Sequence, residues 1–185
     1  MRVADAVHIL EEWANRGRAV FTKRDLAKLF DEQDPTLSAT LNRLIMSGIL
    51  RRAVRGIYVN ALASRRKPYL VEEIAVALRR GEYNYISLES ALSEWGAISQ
   101  IPIDRITVAT TGRSGEYRTP FGVIEFTHTK RDISDILANT AFREDRPLRI
   151  ANETFAARQL RRVGRNVELL DEQAWKEQGW KEVVT

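Results

Sequence analysis

The chain has 185 residues, enough for one good hydrophobic core or two small ones, with 44% hydrophobic and 29% charged residues, a net charge of +4 and no cysteine. These values exclude a disordered tail or a fibre, and the missing cysteine removes disulfides, thiolate catalysis and cysteine-ligated zinc together. No apolar run approaches the ~18 to 20 residues that span a bilayer, and MRVADAVHILEEW carries Asp5, Glu11 and Glu12 where a signal peptide is apolar, so a cytoplasmic protein with no membrane partner is expected.

Residues 2 to 16 place Val3, Ala6, Val7, Leu10 and Trp13 three and four apart, the buried stripe of an amphipathic helix. FTKRDLAKLF opens a second helix. Thr22 caps it, Asp25 completes a Thr-x-x-Asp box, and Phe21 and Leu26 form a hydrophobic staple across it. Asp34-Pro35 starts a third, with aspartate expected at the cap and proline at the first helical position, and Gly48 closes it. On its wheel Leu37, Leu41, Leu44 and Ile45 face inward. Thr36, Ala39, Arg43 and Ser47 face outward, flanked by Asn42, Thr40 and Met46. That outer face is small and polar, as a helix lying against a duplex requires; Arg suits guanine, Asn suits adenine, and Thr36 and Thr40 suit phosphate near the helix N-terminus.

Next, ILRRAVRGIYVN sets Arg51, Arg52 and Arg55 around Gly56 between two β-prone runs, which reads as a basic hairpin. From Pro35 to Val71 there are seven basic residues and no acidic one. Residues 1 to 67 hold 13 Lys and Arg against 7 Asp and Glu, a net +6, whereas residues 68 to 185 hold 16 against 18, a net −2. A basic stretch free of counter-charges suits a polyanion. Three helices followed by a basic two-stranded ribbon is the order of a winged helix-turn-helix domain. Arg51, Arg52 and Arg55 are then expected along the sugar-phosphate backbone or in the minor groove.

SRRKP, residues 64 to 68, reads as a linker between a winged helix-turn-helix domain at 1–63 and a small α+β domain at 69–185. In the second domain a helix with Leu70, Val71, Ile74, Ala75 and Leu78 inward turns at Gly81, and another helix capped by Ser87 ends near Gly96. DRITVAT and TPFGVIEFTH read as strands separated by a flexible TGRSGEYR connection. RDISDILAN and NETFAARQLRRVGR read as helices. The latter carries Arg158, Arg161, Arg162 and Arg165 as one stripe opposite Ala156, Leu160 and Val163, a candidate second basic surface. In WKEQGWKEV, Trp175 and Trp180 are expected to cover part of the core.

Nothing in the chain has the spacing of an active site, a metal centre or a cofactor cradle. His8 and His128 fall in different expected domains, Thr127 stands where a nuclease Glu-x-Lys motif needs lysine after Glu125, and TTGRSGEY lacks the Gly-Lys-Ser/Thr ending of a phosphate loop. No enzyme and no cofactor are expected.

Taken in order, FTKRDLAKLF, LSATLNRLIMSGILRRAVRGIYV, YISLESALSEWGAI, ITVATTGRS and TPFGVIEFTHTKR resemble the AbiEi family, the antitoxins of type IV toxin-antitoxin and abortive-infection systems, over nearly the whole chain. The resemblance implies an autorepressor that binds inverted repeats in double-stranded operator DNA through its N-terminal domain. It also implies a C-terminal domain that neutralises a nucleotidyltransferase toxin, often without a stable complex. Carried onto this chain, the DNA-contacting positions are Thr36, Thr40, Asn42 and Arg43 in the recognition helix and Arg51, Arg52 and Arg55 in the wing. The alternative is a one-component winged-helix regulator with a ligand- or protein-binding C-terminal domain and no toxin.

Overall fold

The computed structural model describes residues 1–98, 104–164, 166, 167 and 170. Trp175 and Trp180 lie outside the described residues, as does Arg165. The chain is α+β and divides into two compact units, Met1–Leu78 with Thr119–Phe121, and Arg79–Arg118 with Gly122–Thr185.

In the first unit, α1 (Val3–Asn15) buries Ala6 and Leu10, and β1 (Val20–Thr22) leads directly into α2 (Lys23–Phe30). The expected capping box forms: the Thr22 hydroxyl accepts from the Asp25 amide at 3.1 Å, and the Asp25 carboxylate accepts from the Thr22 amide at 2.8 Å. Reciprocal satisfaction of two orphan amides fixes where this short helix begins. Arg18 adds an ion pair to the same carboxylate at 2.6 Å. Helix α3 (Thr36–Met46) follows, and Gly48 leaves it at φ 70°, a conformation that glycine adopts without steric cost. Strands β2 (Leu50–Val54) and β3 (Ile57–Asn60) then form a hairpin turning at Gly56, φ 82°. The three strands pair antiparallel in the order β1-β3-β2, with Phe21 opposite Tyr58 and Arg51 opposite Val59. Ala6, Leu10, Phe21, Leu26, Phe30, Leu37, Leu41, Leu44, Leu50 and Tyr58 make one core between helices and sheet. Each fully buried leucine there contributes roughly 2 kcal/mol of transfer free energy.

Asp34 does not cap α3 as expected, and Pro35 precedes the helix rather than opening it. The Asp34 carboxylate instead accepts from Lys23 Nζ at 2.6 Å and from the Ser38 hydroxyl at 2.5 Å. After β3, Asn60 caps a short helix, α4 (Ala61–Ser64), that the sequence did not suggest. Helix α5 (Leu70–Leu78), expected to open the second domain, belongs to the first unit because it packs on β1 and β3 and buries Leu70, Ile74 and Ala75. The division therefore falls after Leu78 rather than at 64–68.

The second unit comprises β4 (Asn84–Ile86), α6 (Leu88–Glu94), β5 (Arg105–Thr110), β6 (Gly115–Thr119), β7 (Gly122–His128), α7 (Ile133–Ala138), β8 (Thr140–Ala141), β9 (Arg149–Ala151) and α8 (Glu153–Val163). Its mixed sheet runs β6-β7-β5-β4-β9-β8. Strands β5 and β7 are parallel, with Val108 beside Phe126, and β4 lies antiparallel to β5 and parallel to β9. Helices α6 and α8 pack together, with α6 against β5, and Tyr85, Ile86, Leu92, Val108, Ile124, Ile150, Phe155 and Leu160 are buried.

The expected flexible connection TGRSGEYR, residues 111–118, supplies all of β6 but Thr119. TPFGVIEFTH is interrupted before Gly122, where Pro120, lacking an N–H, cannot continue a ladder. Ser87 stands at the cap position of α6, but its hydroxyl is bonded to Gln159 rather than to the helix amides. Val163, expected to face inward, is 43% exposed, since α8 ends there and Gly164 turns the chain at φ 72°. Among the described residues, no helix is long and apolar enough to cross a membrane.

Candidate nucleic-acid interface

The outer face of α3 follows from its inner one. With Leu37, Leu41 and Leu44 buried in the core, helical periodicity turns Thr36, Ala39, Asn42, Arg43 and Met46 to solvent. Thr40, expected among the contacting residues, is 2% exposed and cannot reach a duplex. Its hydroxyl accepts from Arg43 Nη2 at 3.0 Å, so its polar atom is satisfied inside the unit. The same Arg43 nitrogen donates to the Met1 carbonyl at 2.9 Å, which folds the guanidinium back along the helix. Nearby, the Met1 ammonium lies 2.5 Å from the Glu32 carboxylate and holds its pKa below the usual glutamate value; the Thr40 hydroxyl and the Arg43 charge act in the same direction.

At the N-terminal end of α3, Lys23 Nζ lies between Asp34 and Ser38, at 2.6 and 3.2 Å. The Asp34 carboxyl is held below its ordinary pKa by these two partners, Lys23 first. This cluster ties α2 to the start of α3.

The hairpin exposes Arg51, Arg52 and Arg55, and none of the three forms a salt bridge among the described residues. Ala53 and Ile57 within the same hairpin are buried, and the pairing register shifts between Arg52 and Val54, next to the turn. The Arg51 guanidinium lies 4.9 Å from the centroid of the Phe121 ring. Arg52 Nε makes a long contact, 3.4 Å, to the Val54 carbonyl.

In the second unit, α8 buries Phe155, Ala156, Ala157, Gln159 and Leu160 and turns Arg158, Arg161 and Arg162 outward. The fourth member of that stripe, Arg165, lies outside the described residues. His8 pairs with Glu12 at 3.3 Å on the exposed face of α1, and His128 Nδ1 meets the Gly112 carbonyl at 2.8 Å. Among the described residues, no three His, Asp or Glu side chains are grouped to hold a metal ion.

Met46, a flanking position on the helical wheel, is 88% exposed, one turn beyond Asn42 and Arg43 on the same face. Its spacing of three and four from those residues was the available signal. Sequence reasoning missed the buried polar set in which Gln159 Nε2 donates to the Tyr85 hydroxyl at 2.6 Å while the Ser87 hydroxyl donates to Gln159 Oε1. No spacing rule brings residues 85, 87 and 159 together.

No family model matches the chain, and no curated protein matches it. Among solved structures, the crystal structure of the RV2827C protein from Mycobacterium tuberculosis is similar at 20% identity and a TM-score of 0.48, over 73% of this chain and 48% of that one. The chain thus spans about half the length of that protein.

Proposed function

We propose that the chain is an antitoxin of a type IV toxin-antitoxin system that represses its own operon, with the first unit acting as a winged helix-turn-helix on inverted repeats in double-stranded DNA. The observation that carries this reading is the pairing, within one unit, of an exposed small and polar face on α3 with a hairpin whose three exposed arginines have no acidic partner among the described residues. In this reading α3 is the recognition helix. Arg43 leaves the Met1 carbonyl to meet guanine, Asn42 meets adenine, the Met46 side chain contacts a thymine methyl, and Thr36 meets phosphate. Arg51, Arg52 and Arg55 bind backbone phosphates from the wing, supplying affinity without sequence preference. Thr40 supports the helix from inside and makes no contact with DNA.

The antagonism of a nucleotidyltransferase toxin rests on the resemblance to the AbiEi family and is assigned to the second unit, where the exposed Arg158, Arg161 and Arg162 offer a basic face. Co-expression with a nucleotidyltransferase encoded beside this gene tests it. The full chain is expected to restore growth, and a full chain with Arg51, Arg52 and Arg55 all changed to Gln is expected to restore growth while losing operator binding. Continued toxicity in the presence of the folded full chain would refute the antitoxin assignment and leave a one-component regulator.

A further inference from the structure

The second unit contains a cavity of about 150 Å³ at the carboxyl ends of β5 and β7, walled by Leu88, Ala109 and Val163, with Thr127, His128, Thr129, Gln159 and Arg162 as its polar lining. Crevices at the carboxyl ends of parallel strands are where open α/β sheets take ligands. We propose that this cavity binds a small monocarboxylate of two to four carbons, with Arg162 pairing the carboxylate and the apolar wall covering the short aliphatic part.

Three observations converge on that chemistry. First, the wall is preorganised. Gln159 is 9% exposed, one of its amide N–H groups is fixed on the Tyr85 hydroxyl, and its oxygen is fixed by Ser87, while its second N–H meets no acceptor among the described residues. The Thr127 hydroxyl has no hydrogen bond among the described residues, whereas Thr129, also at the cavity, accepts from the Arg131 amide at 3.3 Å. Second, the charge is single. Among the described residues, Arg162 has no ion pair, no acidic side chain lines the cavity, and the other ionisable lining residue, His128, has its Nδ1 on the Gly112 carbonyl. One guanidinium with neutral donors matches a monoanion, and a planar fork suits a carboxylate. Third, Leu88 is 1% exposed yet adopts φ 53°, a conformation costly for a bulky residue, at the junction of β4 and α6 that forms one wall. Strained positions of this kind gather at ligand sites. The volume lies below that of drug-sized pockets, which limits the ligand to a few heavy atoms.

This site is separate from the proposed DNA interface and shares only Arg162 with the basic face of α8. The test is an amide NMR titration of the full chain with acetate, propionate and lactate at ionic strength held constant with chloride, and with inorganic phosphate as a parallel arm. Saturable shifts at Ala109, Thr127, Thr129 and the Gln159 side chain are expected, with a Kd on the order of 1 mM for so small a ligand. Arg162→Gln, a change on an exposed helix face, should raise the Kd about tenfold or more, and Thr127→Val should raise it less. Absence of saturation, an unchanged Kd in a folded Arg162→Gln protein, or tighter binding of phosphate than of any carboxylate would each overturn the assignment.

Discussion

Replacing Arg52 and Arg55 together by glutamine separates the wing's electrostatic role from every other part of the proposed interface. Both side chains are exposed and neither is tied to an acidic group among the described residues, so each is free to displace one counterion from a duplex. At about 0.9 per phosphate neutralised, the slope of log affinity against log salt should fall in magnitude by roughly 1.8 in the double variant. Between about 50 and about 200 mM salt, the unaltered protein should then lose roughly 12-fold more affinity than the variant does. Arg51 should count for less, because the stack on Phe121 at 4.9 Å holds the guanidinium with about 0.5 to 1 kcal/mol that must be given up to reach phosphate. Fluorescence anisotropy on a labelled duplex across a salt series measures all three slopes. Unchanged slopes in the double variant, with its fold intact, would remove the wing from the DNA interface.

Arg43→Ala should weaken operator binding by about 1 to 3 kcal/mol and leave random duplex nearly unaffected; equal losses on both duplexes would sink the base-reading role. Thr22→Ala should lower stability by about 1 kcal/mol, and Asp25→Ala by more, because the latter also releases the Arg18 ion pair at 2.6 Å; urea unfolding that finds the two equal would contradict the shared cap. Burial raises the pKa of Glu153, so its ionised form is penalised in the fold at neutral pH and the penalty fades as pH falls through that raised value. Glu153→Gln should therefore stabilise the protein at pH 7 and lose its advantage below the ordinary carboxylate range, and unfolding midpoints at the two pH values give the sign.

Most of the first unit was legible because its determinants are local. The periodicity of Leu37, Leu41 and Leu44, the Thr22 and Asp25 box, and the glycines at 48 and 56 each act within a few residues, and each appears in the structure where the chain required it. Thr40 was not legible. On a wheel it is a borderline polar residue, and only the folded position of Arg43 supplies the partner that lets it be buried. The second unit was harder because its sheet is built from distant segments. The pairing of β5 with β7 is parallel and skips β6, and β4, β8 and β9 have two or three residues each, too few to show alternation. Gln159, between arginines in the sequence, is buried because Tyr85 and Ser87, more than seventy residues away, satisfy its amide. Arg158, Arg161 and Arg162 of the expected arginine stripe are all exposed, as helical periodicity requires with Ala156 and Leu160 buried.

The central claim, that the first unit reads specific DNA, is tested most directly by titrating the full chain onto the duplex upstream of its own gene and onto a scrambled duplex of equal length and composition, at several salt concentrations. The account predicts tighter binding to the upstream duplex by about a thousandfold or more, with a steep salt slope on both. Equal affinity for the two duplexes at every salt concentration would contradict it.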